Sequence, residues 1–114
     1  MIRARFDYSA DGKTLVLTLQ GHAGAVQNGN DPVCAAASML AYTVAQAVTD
    51  MHNAGKLKKK PYIRLDSGDA AVTCKPAKSA YAEALHLYKV VQTGYRLLAH
   101  NFPDNIRVKL FGEA

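Results

Sequence analysis

With 114 residues, 49% hydrophobic and 20% charged, the chain cannot be a disordered or low-complexity protein and has the length of one domain, 1–114, with its own core. The net charge of +5 and the pI near 9.3 suit work near nucleic acid or acidic surfaces but establish neither. No apolar run approaches bilayer length, and the start Met1-Ile2-Arg3-Ala4-Arg5-Phe6 has no signal-peptide core, so a soluble cytoplasmic protein is expected.

Ile2, Ala4, Phe6 and Tyr8 alternate with Arg3, Arg5 and Asp7, the period of a half-buried strand. Ser9-Ala10-Asp11-Gly12-Lys13 is turn chemistry, and residues 14–20 put Leu15, Leu17 and Leu19 on one face, which predicts a hairpin. The glycine-rich stretch 21–30 reads as a mobile loop. Asp31 followed by Pro32 predicts a helix start, a capping carboxylate and then a proline at the first helical position. Val33, Ala37, Leu40, Val44, Val48 and Met51 recur at helical spacing up to a stop near Gly55.

Lys56 to Pro61 is a charged connector. Residues 62–66 and 70–75 predict a second hairpin turning at Ser67-Gly68-Asp69. A second long helix is expected over 79–100, with Ala84, Leu87, Val91 and Leu98 on one side and Tyr81, Leu85, Tyr88 and Tyr95 beside them. Ile106, Val108 and Leu110 form a last strand. The order ββαββαβ predicts an α+β fold, a mostly antiparallel sheet packed against two long helices.

Chemistry concentrates at the first strand–loop–helix junction. A histidine, His22, ends a strand, and a cysteine, Cys34, falls in the first turn of the next helix. Imidazole titrates nearest neutral pH, and a helix N-terminus favours a thiolate. Base, nucleophile and anion-binding amides, that of Cys34 included, would meet there, the outline of a cysteine hydrolase. Against this, an unpaired cysteine is commonly a buried space-filler, and His22 alone would be an ordinary strand-end histidine. Asp31 reads as the helix cap and as a candidate orienter of His22; Ser38, one turn above Cys34, would bond a carbonyl or steady the thiol. Cys74 has the strand parity of Val72 and is expected to be a buried, inert thiol. Two cysteines without an export signal are expected as thiols, not as a bridge. No metal-ligand spacing is present, and no cofactor is implied.

Gly21-His22-Ala23 together with Gly29-x-Asp31-x-Val33-Cys34-Ala35-Ala36-x-Ser38-x-Leu40 resembles the signature of the ribosomal-processing cysteine protease family Prp. The likeness runs over nearly the whole chain. It implies a homodimeric cytoplasmic endopeptidase that removes the N-terminal extension of a large-subunit ribosomal protein, cutting after an aromatic residue. By position it makes His22 the base and Cys34 the nucleophile, with Asp31, Ser38, Gly21 and Gly29 in support, and it implies neither metal nor membrane. Pro32 stands where the family more usually has an aliphatic residue, and Ala25-Val26-Gln27 lacks the aromatic often found in the loop. A competing expectation is a non-catalytic ribosome- or RNA-associated module, built on the lysines at 56 and 58–60 with Arg3, Arg5 and Arg107. A purely structural dimerisation domain is the third.

Overall fold

Leucines at alternate positions and an Asp-Pro helix start produce the elements that their spacing predicts. A computed structural model describes residues 1–24 and 31–114. Strands β1 (Ile2–Tyr8) and β2 (Leu15–Gln20) form the first hairpin, followed by helix α1 (Pro32–Asn53). Strands β3 (Tyr62–Asp66) and β4 (Asp69–Cys74) form the second hairpin, followed by helix α2 (Tyr81–Asn101) and strand β5 (Ile106–Lys109). The order is the expected ββαββαβ. Expected boundaries differ by a residue or two, and Lys78–Ala80 is a 3₁₀ turn ahead of α2. The expectation of a mobile loop over 21–30 falls mostly on residues 25–30, which lie outside the described residues, as does Gly29.

The five strands lie in the order β3-β4-β2-β1-β5, antiparallel except for the β1–β5 pair. Because side chains alternate across a sheet, the register puts Ala4 opposite Leu19, Phe6 opposite Leu17 and Val72 opposite both Leu17 and Ile63. These form one apolar face, and both helices cover it. The other face carries Arg3, Arg5, Asp7, Thr18, Tyr62, Arg64, Asp66, Asp69, Thr73, Arg107 and Lys109, and among the described residues no helix lies over it.

Helix α1 buries Val33, Ala37, Ala41, Val44, Ala45, Val48 and Met51. By length and composition it is apolar enough to cross a bilayer, with a mean hydropathy of 1.3, so the expectation that no segment qualifies does not hold. Its buried stripe is packed on the sheet, as in the core helix of a globular protein.

Helix α2 packs both expected sets of side chains against the core, to different depths. Its buried residues are Ala84, Tyr88, Val91 and Tyr95, while Leu87 and Leu98 are only half-buried. The tyrosines go deepest because their hydroxyls find acceptors inside: Tyr88 donates to the Val72 carbonyl at 3.0 Å and Tyr95 to the Ala37 carbonyl at 2.7 Å. Each ring thus ties α2 to a different element, Tyr88 to β4 and Tyr95 to α1. Between them Gly94 lets the helices close, since a Cβ there would stand 2.7 Å from Leu40 Cδ2.

Candidate active site

Beyond β2 the chain passes over its own first residue. Gly21 has φ +93°, and a Cβ on it would stand 2.3 Å from the Met1 carbonyl oxygen, so only glycine fits. Three distant segments then hold the strand end. The Gly21 amide donates to the Gly68 carbonyl at 3.0 Å, the terminal amine of Met1 donates to the His22 carbonyl, and Asn105 Nδ2 donates to the Ala23 carbonyl at 3.0 Å. The exposed His22 ring lies against the β3–β4 turn, where a Cβ on Gly68 would be 2.6 Å from Nε2.

Across the gap, Asp31 caps α1 as expected. Its Oδ1 accepts from the amides of Val33 at 2.8 Å and Cys34 at 3.2 Å, and its main-chain oxygen accepts from Ala35 at 3.0 Å. Pro32 has no N–H to offer. The described arrangement therefore departs from one expectation: the Cys34 amide is engaged by the Asp31 carboxylate and is not turned toward an oxyanion. The Ala23 amide donates to Cys34 Sγ at 3.3 Å.

Cys34 is half-buried and free, whereas Cys74 is 1% exposed and also free, as expected for an inert core thiol; burial pushes the Cys74 thiol upward. His22, Cys34, Ser38 and Gly21 all line one pocket of about 250 Å³. Asp31 does not line it; it acts from behind as the cap. Among the described residues no hydrogen bond joins the imidazole to the sulfur, and no three His, Cys, Asp or Glu side chains converge as a metal site requires.

The rest of the lining was not read as functional from the sequence. Leu65, Tyr42 and Ala41 make one wall apolar, and Asp66 to Asp69 form the rim beneath His22. Ser67-Gly68-Asp69 was legible only as a turn, and Asn105 only as part of a helix break. No local signal ties either to His22, because the contacts run between segments far apart in sequence.

Fold and pocket define an α+β domain that presents a free thiol and an imidazole on one open wall at a helix start. The family described as cysteine protease Prp matches residues 1–107, and the chain belongs to that family. No curated protein matches the sequence significantly. Among solved structures, the ribosomal processing protease Prp from S. aureus with a covalently linked product peptide is similar, at TM-score 0.71 and 21% identity over 97% of this chain and 99% of that one. The same protease with a substrate peptide gives TM-score 0.67 and 20% identity, covering 97% and 99%. SMU.848 from Streptococcus mutans gives TM-score 0.67 and 23% identity, covering 97% and 94%.

Proposed function

We propose that the chain, acting as one domain over 1–114, is a cytoplasmic cysteine endopeptidase that trims the N-terminal extension of a large-subunit ribosomal protein, cutting after an aromatic residue. The observation that carries this reading is the shared pocket: Cys34 at the start of α1 and His22 at the end of β2 line the same open cavity. That a similar structure is a ribosomal processing protease carrying a covalently linked product peptide supports it. The apolar wall of Leu65, Tyr42 and Ala41 suits an aromatic side chain ahead of the cut.

In this mechanism His22 takes the Cys34 proton as the sulfur attacks the peptide carbonyl. The Ala23 amide, already at the sulfur, is placed to donate to the oxyanion beside it. The C–N bond breaks as His22 returns the proton to the leaving amine, leaving a thioester on Cys34. Water, deprotonated by His22, then frees the acid and restores the thiol. Asp31 holds the first turn that carries Cys34, and Gly21 holds the turn that carries His22; Ser38 lines the floor one helical turn above the thiol. Gly29, a supporting residue by the family motif, lies outside the described residues. No cofactor, metal or membrane enters the scheme, nucleic acid is not required, and the active form is a homodimer in this reading; the exposed Met39, Val90 and Leu97 on the two helices offer apolar surface to a second copy.

The test uses a peptide spanning the extension junction. The wild-type chain is expected to cut it once, after the aromatic residue, with the site read by mass spectrometry. Cleavage that survives Cys34→Ala in a folded protein refutes the assignment.

A further inference from the structure

The helix-free face of the sheet is basic and unused by the scheme above. Register places Arg3 beside Arg107 and Arg5 beside Lys109 on the parallel β1–β5 pair. Adjacent strands are about 4.8 Å apart, so these are like charges held side by side, an arrangement that costs stability. Asp7 offsets one end through Arg5 and Lys109. At the other end no ion pair reaches Arg3 or Arg107 among the described residues, although Glu113 and the terminal Ala114 border the same hollow.

The opposite corner of the same face repeats the pattern. Lys59, Lys60 and Lys75 border a hollow of about 280 Å³ with Thr14, Thr73 and Tyr62, and Lys58 adjoins it through its amide, which donates to the Lys75 carbonyl at 2.8 Å. None of these lysines is ion-paired among the described residues. Tyr62 is 54% exposed, an unusual state for a large ring, and it is held in place: Arg64 Nη1 donates to its hydroxyl at 2.8 Å while Arg64 Nη2 pairs with Asp69 at 2.9 Å. A fixed, exposed aromatic among unpaired cations is a stacking platform inside an anion-attracting surface.

We infer that this face binds single-stranded nucleic acid, phosphates on the two cation clusters and a base on Tyr62. The clusters lie at opposite corners of the five strands, about 19 Å apart across four strand spacings and offset along the strands as well, since Arg3 is level with Gln20 and Asp69 but Tyr62 with Thr73, a span for a flexible polyanion and not for a single phosphate. An acidic polypeptide would use the cations but has no need of the ring. Cys34 and His22 open on the helix-covered side, so the chain can hold nucleic acid and a peptide at once. The inference does not depend on the protease assignment.

The experiment is fluorescence anisotropy of the full chain with labelled 15-nucleotide oligo-U RNA and oligo-dT DNA over a series of salt concentrations. Binding is expected, weakening linearly in log–log with salt. Lys59→Glu with Lys60→Glu, and separately Arg3→Glu with Arg107→Glu, should each weaken binding at least about tenfold and flatten the salt slope by roughly 1.4, the loss of two phosphate contacts on a single strand. Tyr62→Ala should weaken it between about five- and a hundredfold with the slope unchanged. Preference for RNA assigns the ligand as RNA, and preference for DNA or none supports the shared chemistry. Peptide cleavage by all three variants should match wild type, so loss of one activity is read independently of the other. The inference is overturned if neither oligomer binds at 50 mM salt, or if folded Tyr62→Ala binds as wild type while poly-glutamate competes equally.

Discussion

Cys34 and Cys74 are the same side chain in two surroundings. Cys74 is the last residue of β4, on the core face of the sheet beside the fully buried Leu15 and Val72, and its burial raises the cost of the thiolate. Cys34 sits in the first turn of α1, where an amide from another segment reaches its sulfur and a pocket opens on it. Both cysteines stand at the end of an element, so it is the face a thiol is turned to that makes it usable: Cys34 borders a pocket that admits solvent, whereas Cys74 is turned into the core.

The largest expected effect separates the two directly. Cys34→Ala should lower cleavage of the extension peptide by about 10⁴-fold or more, while Cys74→Ala leaves the rate within twofold and costs roughly 1–2 kcal/mol in urea unfolding. Equal loss from both would mean that the pocket is not the seat of the chemistry. Next comes alkylation by iodoacetamide, followed by mass spectrometry. Cys34 should label in the folded protein at least roughly 10³-fold faster than Cys74, which must wait for unfolding. His22→Ala should slow Cys34 labelling at pH 7; an unchanged rate would remove the imidazole from the scheme.

A smaller effect concerns how His22 is held. Gly12 and Gly68 share the same left-handed backbone, at φ +72° and +71°, but a Cβ meets nothing at Gly12 and meets the His22 ring at Gly68. Both alanine variants should lose about 1 kcal/mol from backbone strain. Gly68→Ala alone should also slow cleavage, by roughly 10–100-fold, since a displaced catalytic group is costly. Equal rates in the two variants would show that the β3–β4 turn does not position the imidazole.

The smallest effect belongs to the core side. Burial pushes the hydroxyls of Tyr88 and Tyr95 far above the ordinary tyrosine range. The folded protein keeps both protonated where the unfolded chain ionises, so the folded state binds more protons. Stability present below about pH 10 is therefore lost as pH rises above it, by up to about 1.4 kcal/mol per pH unit for each ring. Tyr88→Phe should remove its share of that slope in alkaline urea titrations, at a cost near 1 kcal/mol at neutral pH for the lost hydrogen bond to the Val72 carbonyl.

How far the chain was legible follows the range of the interactions. The alternation of Ile2, Ala4 and Phe6, the Asp31 cap and the spacing of Val33 to Met51 are local, and the elements formed where they predict. Helical spacing put Leu87 and Leu98 on one side of α2 and Tyr88 and Tyr95 beside them, without saying which would go deepest. It has no knowledge of the Val72 and Ala37 carbonyls that accept from Tyr88 and Tyr95. His22 and Cys34 were legible because eleven residues and a helix start join them, close enough for one motif to carry both.

Periodicity and capping are written into runs of neighbouring residues, so element order, the sheet's apolar side and the candidate thiol could be read without coordinates. Strand order, the parallel seating of β5, and the convergence of Met1, Gly68 and Asn105 on the end of β2 could not. Those contacts join residues as far apart as Ile2 and Ile106, and they form only after the core has brought the segments together. The Asp31 carboxylate's hold on the Cys34 amide, and the approach of the Ala23 amide to the sulfur, likewise depend on ångström-scale placement that no residue spacing encodes.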